Sequence, residues 1–197
     1  MVRSRLRGSM RALALAGILG GLGLVGLLSA CGSSSGGPNS PSRPLPAYAG
    51  RSATLFDDTI EPAGVGLDFQ KGYQPRHDPL VRERSQTSDA VIRVRVSTVT
   101  AKKDGPEVVY QLGLHTVEKV AGENPPETDF TVQITKSSES LGIMKNFESR
   151  LVGYPFVAFV REFVRPDGDR EIHFHLAPDT KDVKVAVSDA LALGELK

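Results

Sequence analysis

His173, Phe174 and His175 place two metal-competent side chains two residues apart. On a strand that spacing sends both imidazoles to one face, where they could share a Zn or Cu ion. A tight site needs further ligands, and the other two histidines, His115 and His77, could supply them if the fold brought them near. The expected ligand set is therefore His173, His175 and His115, with Zn or Cu the only cofactor suggested. The same alternation supports a plainer expectation, with Ile172, Phe174 and Leu176 turned to a core and both histidines facing solvent. Asp57, Asp58 and Glu61 form a small acidic cluster that could invite a divalent cation or simply cap a short helix. A hydrolase would need an activated Ser beside a His and a carboxylate such as Asp179. No Gly-x-Ser-x-Gly elbow occurs, and no Ser stands in a nucleophile setting. Asp167 and Asp169 flank Gly168 as turn residues do. No catalytic residue is assigned, and an enzyme is not expected.

Chemistry of a different kind is written at the N-terminus. Arg3, Arg5, Arg7 and Arg11 precede an apolar run from Ala12 to Leu28, and Leu28-Ser29-Ala30-Cys31 follows. A basic start, a short apolar stretch and small residues at its end make a signal peptide. The run is short for a bilayer span of about 20 residues, and its glycines weaken it as a stable helix. Leu28-Ser29-Ala30-Cys31 resembles the lipobox of bacterial lipoproteins. That resemblance implies cleavage between Ala30 and Cys31 and acylation of Cys31, so that residues 1–30 are leader and Cys31 carries the membrane anchor. Each acyl methylene buried in a bilayer contributes about 0.8 kcal/mol, and stable anchoring takes more than one chain. Gly32, where Asp would favour inner-membrane retention, implies an outer-membrane protein facing the periplasm if the source is Gram-negative. Cys31 is the only Cys of the chain, and the acylation this resemblance implies would consume it, leaving no thiol for a disulfide, a Zn-thiolate site or a Cys nucleophile.

The 197 residues hold 24 Lys plus Arg against 23 Asp plus Glu, yet the first 30 carry four Arg and no acid. The remainder is weakly acidic, which gives it no electrostatic reason to bind phosphate backbones, and a nucleic-acid partner is not expected. Residues 32–47 are mostly Gly, Ser and Pro and cannot bury enough apolar surface to offset chain entropy. With Cys31 they form an expected tether, 31–47, reaching about 20 Å.

Residues 48–87 read as a wrapping segment, with one or two helical turns between Ala53 and Ile60 stopped at Glu61-Pro62. From residue 88 the pattern sharpens. Ala90, Ile92, Val94 and Val96 alternate with Val91, Arg93 and Arg95, the period of a half-buried strand. Lys102 to Pro106 turns the chain into a second strand, Val108 to Val120, and Phe130 to Ile134 is a third. Ser137 to Ser140 offer caps to a helix ending near Leu151. Tyr154 to Val164 is almost continuously apolar, as befits a strand covered on both faces, with Phe156, Phe159 and Phe163 expected in the core. Pro166 to Asp169 turns it into a strand from Glu171 to Leu176, and a last helix runs from Asp179 or Thr180 to Leu193.

Three strands, a helix and two strands make an α+β chain, mainly β with two helices. This order resembles that of the OB-fold, a five-stranded Greek-key barrel. Residues 88–177 also resemble secreted OB-like domains through Val117-Glu118-Lys119-Val120-Ala121-Gly122 at the end of the second strand. The resemblance implies an OB-like domain over 88–193 with an added C-terminal helix; an open antiparallel sheet with helices on one face is the alternative. Lipobox, tether and the missing catalytic set together lead to the expectation of a non-enzymatic envelope lipoprotein that binds another envelope protein. A metal-binding accessory of an uptake system is the alternative.

Overall fold

The computed structural model describes residues 44–67, 72–123 and 125–194, so the leader, Ala30 and Cys31 lie outside the described residues. One mixed sheet organises the chain. Its strands are β1 (Thr59–Ile60), β2 (Ala90–Asp104), β3 (Glu107–Gly122), β4 (Asp129–Ile134), β5 (Pro155–Val164) and β6 (Arg170–Pro178), in the order β1-β6-β5-β2-β3-β4. The helices are α1 (Arg51–Leu55), α2 (Pro79–Thr87), α3 (Leu141–Leu151) and α4 (Lys181–Gly194), with 3-10 turns at Pro62–Val65 and Pro75–His77.

β2, β3 and β4 follow one another as hairpins, and β5 returns through α3 to lie antiparallel beside β2. A fourth strand coming back beside the first is the Greek-key arrangement. β6 pairs with β5, and β1 adds a short parallel strand outside it. The α+β class stands. The sheet differs from the expected five-stranded barrel in three respects: it has six strands, it contains a parallel pair, and no ladder joins β4 to β6 among the described residues. Register shifts at Val91/Ile92, Arg93/Val94 and Val96/Thr98 mark bulges in β2, which raise the twist of a long hairpin and let it coil.

Alternation along the strands builds two cores. Ile92, Val94, Leu112, Ile134, Phe156, Ala158, Phe174 and Leu176 meet Met144 and Leu151 of α3 on one face. Val91, Val157, Phe159, Phe163 and Ala177 meet Val81 of α2 and Val183 and Val187 of α4 on the other. Phe156, Phe159 and Phe163 are fully buried, as the continuous apolar run implied. Helices therefore cover both faces, where the open-sheet alternative placed them on one.

Gly122, last residue of the Val-Glu-Lys-Val-Ala-Gly stretch, has φ +88°, and a Cβ there would stand 2.3 Å from the Asp89 carbonyl oxygen. The position requires glycine on both counts. The sheet also reaches into the expected tether, because the Val164 N–H donates to Pro46 O at 3.0 Å and Ala47 bridges Val164. Among the described residues no helix is long and apolar enough to cross a membrane.

Candidate functional site

The segment from Pro46 to Ile60 lies as a strap across the end of β5, at Val164, and along β6. Its core contribution is Leu55 and Phe56, and β1 continues it in parallel register, Thr59 opposite His175 and Ile60 opposite Leu176. The Asp58 N–H donates to Phe174 O at 2.9 Å, and the Glu61 N–H to Leu176 O at 2.8 Å. With Leu55 and Phe56 on one side and Thr59 and Ile60 on the other held down, Asp57 and Asp58 are brought onto β6.

His173 and His175 project to the same side of β6, as the strand period requires, but that side is the second core and not solvent. Each imidazole takes its own carboxylate. His173 Nδ1 lies 2.7 Å from Asp58 Oδ2, and its Nε2 lies 3.0 Å from Glu171 Oε1 in an ion-pair contact. Tyr48 stacks on the ring with centroids 3.3 Å apart, while its hydroxyl donates to Phe56 O at 2.6 Å. His175, 4% exposed, donates from Nδ1 to Asp57 Oδ1 at 3.0 Å. Thr59 Oγ1 donates to the same oxygen at 2.6 Å. Beyond Asp57 stands the buried Arg84, whose Nε donates to Leu55 O at 2.6 Å.

These surroundings set the charges. Burial works against a charged His173, but the hydrogen bonds and charges of Asp58 and Glu171 outweigh it and hold the imidazole above its ordinary pKa. Burial also raises Asp58 against the pull of His173, so the pair keeps its shared proton more tightly than either group would in water. His175 moves the other way, because its near-complete burial outweighs the attraction of Asp57 and Arg84 repels the cation. Asp57 is held below the usual carboxylate range although burial opposes it, through His175, Thr59 and Arg84.

Two concavities flank the pairs. A cavity of about 190 Å³ lies beside His175, with Asp57, Glu61, Asp78, Arg84 and Glu139 on its walls. A larger groove of about 410 Å³ runs along the seam between β4 and β6, lined by Thr131 and Gln133 from one strand and Arg170, Glu171 and His173 from the other. Asp58 closes one side of it. The β5–β6 turn contributes Arg165, whose Nε is 2.9 Å from Glu171 Oε2.

His115 is not part of this assembly: on β3, its Nδ1 lies 2.8 Å from Asp129 Oδ1 at the exposed surface. His77 sits in the 3-10 turn beside Arg76 and Asp182. The three histidines of the expected metal set thus share no carboxylate: His173 has Asp58 and Glu171, His175 has Asp57 and His115 has Asp129. Among the described residues no group of three or more His, Cys, Asp or Glu is arranged to hold a metal ion. Asp179 belongs to Arg93 and Lys184, at 2.6 and 3.1 Å. Ser140 gives its hydroxyl to Ile60 O and accepts the Ile60 N–H, and Ser138 donates to Asp58 O. These serines, expected as helix caps, fasten the strap to the start of α3, which has no side-chain cap.

Sequence reasoning missed Asp57 and Asp58 as the partners of the two histidines. The available signal was their setting, two adjacent acids inside the apolar run Leu55-Phe56 and Thr59-Ile60, since carboxylates drawn under such neighbours need a cation or a donor. No family model matches the chain, and no curated protein or solved structure matches it either.

Proposed function

We propose that this chain is a lipid-anchored envelope protein whose α+β domain, an OB-like Greek key left open at one seam, is a non-enzymatic binding module for a protein partner in the periplasm. The observation that carries the reading is the seam groove. It combines one face of β4, the third strand of the Greek key, with the β5–β6 turn through Arg165 and Arg170. OB-folds bind their ligands with the second and third strands and with the loop that corresponds to this turn. Thr131 and Gln133 are exposed there, and Arg165, Arg170, Glu171 and Asp58 give the groove charge of both signs, suited to a polar polypeptide surface.

The absence of catalysis in this reading is supported by the commitments of the candidate groups. His173 and His175 are engaged by carboxylates, and both sides of the Ser140 hydroxyl are used by Ile60. The anchor rests on the Leu-Ser-Ala-Cys sequence and its basic, apolar leader. A photo-crosslinking residue at Gln133 of the full chain in cells should give a discrete protein adduct, and one at Lys119 on the exposed face of β3 should not. Equal adducts at both positions, or none at Gln133, would remove the groove from the reading. The anchor is checked separately: Cys31→Ser should abolish fatty-acid labelling and accumulate the uncleaved precursor.

A further inference from the structure

His173 and His175 fasten one strap to one strand in opposite electrostatic settings. A carboxylate at each nitrogen favours the imidazolium for His173. The Nε2 of both rings is buried without a hydrogen bond among the described residues, but His173 Nε2 has Glu171 Oε1 at 3.0 Å, whereas His175 has a carboxylate only at Nδ1. A proton added at Nε2 would be a buried donor with no acceptor, and its charge would arise beside the Arg84 guanidinium. The charged groups around His175 are Asp57 on the strap and Arg84 and Asp78 on α2, with Glu61 and Glu139 across the cavity. Those around His173 are Asp58 on the strap, Glu171 on β6 with Arg165 behind it, and Arg161, its register partner on β5. The ring neighbours Tyr48, Phe159 and Phe163 are uncharged at neutral pH.

We propose that the strap from Pro46 to Ile60 is an acid-released latch, opened from β6 when His175 takes a proton and held shut against early release by the His173–Asp58 pair. Release frees the β6 edge at His175 and Leu176, now covered by β1, and removes Asp58 from the wall of the seam groove, so a mild fall in pH would change the surface the domain presents. The latch is a property of the strap and does not depend on the groove being a partner site.

Linkage gives the size of the effect. In the open strap His175 regains an ordinary pKa near 6.5, so its protonation alone raises the opening constant by at most about eightfold between pH 7.0 and 5.5. His173 opposes this, because closure already favours its charged form, and keeps the net rise below that of His175 alone.

Hydrogen exchange on the full chain tests the latch. The reporters are the amides of Asp58 and Glu61, bonded to Phe174 O and Leu176 O, corrected for intrinsic exchange and referenced to β2–β3. Between pH 7.0 and 5.5 opening is expected to rise most in His173→Gln, by at most about eightfold, to rise less in the natural chain, and to be unchanged or reduced in His175→Gln. Equal protection at both pH values in the natural chain and in His173→Gln would overturn the proposal, as would an undiminished response in His175→Gln. Should His175→Gln fail to fold, imidazole nitrogen NMR of the natural chain decides: His175 must keep an unprotonated Nε2 below pH 6.5, and titration at or above that value refutes the latch.

Discussion

Two histidines separated by one residue differ because one has anions at both nitrogens and the other has one anion and a neighbouring guanidinium. Their contributions to stability run in opposite directions with pH. The raised pKa of His173 gives stability that is fully present below about pH 6.5 and lost as pH rises through its folded value. The lowered pKa of His175 gives stability present above about pH 6.5 and lost as pH falls. Asp58→Asn leaves His173 half-buried with Glu171 as its one remaining anion. We expect a cost of about 1 to 3 kcal/mol in denaturant unfolding at pH 6 and a fall in the His173 pKa seen by NMR. Because each imidazole serves its own carboxylate, Zn or Cu titrated calorimetrically into the tag-free chain should bind more weakly than about 100 μM. A submicromolar one-to-one site would instead require the carboxylates to yield. The period of the strand made the shared face of His173 and His175 legible in the sequence. What covered that face was not legible, since Asp57 and Asp58 lie more than a hundred residues away and no local pattern joins the two segments.

At the level of elements, strands with strong alternation and turns with Gly or Pro are found close to their expected bounds. β5 was readable because both of its faces are apolar, Phe156, Ala158 and Val160 toward one core and Val157, Phe159 and Phe163 toward the other. Phe156→Ala, Phe159→Ala and Phe163→Ala should each cost about 3 to 5 kcal/mol in denaturant unfolding. Costs below about 1 kcal/mol would contradict the double covering. α2 escaped the sequence reading because Pro-Leu-Val-Arg-Glu-Arg-Ser-Gln-Thr has little apolar periodicity; it is fixed by the Asp78 side chain accepting the Leu80 N–H and by its own Val81, Arg84 and Ser85, which are buried. β1, two residues long, carries no period at all and exists through its partner. Gly122→Ala meets both a positive φ and the Asp89 carbonyl, so its cost should exceed the roughly 1 kcal/mol of an ordinary glycine replacement, read as a lower midpoint at unchanged m-value.

For the whole molecule, residues 43–197 form one compact unit. A chain of residues 44–197 should melt as the full chain does. Removing residues through Tyr48 as well deletes the Pro46 bond to Val164 and the stack on His173, and should lower the melting temperature by several degrees. The α+β class was legible because element order is local information. The two-sided covering and the mixed sheet were not, because both depend on where the first described residues meet the last strand. That meeting also imposes an order in time. Asp57 and His175 are 118 positions apart, and Asp58 and His173 115. A polypeptide made from its N-terminus brings out the two acids first and their imidazoles almost last. Until β6 arrives the strap has no surface to settle on, so closure belongs to the final stage of maturation, after the β2–β3 hairpin has had time to form. A chain stalled before Arg170 should therefore hold a protected hairpin and a protease-sensitive strap, with cleavage near Leu55 reporting how far synthesis has gone.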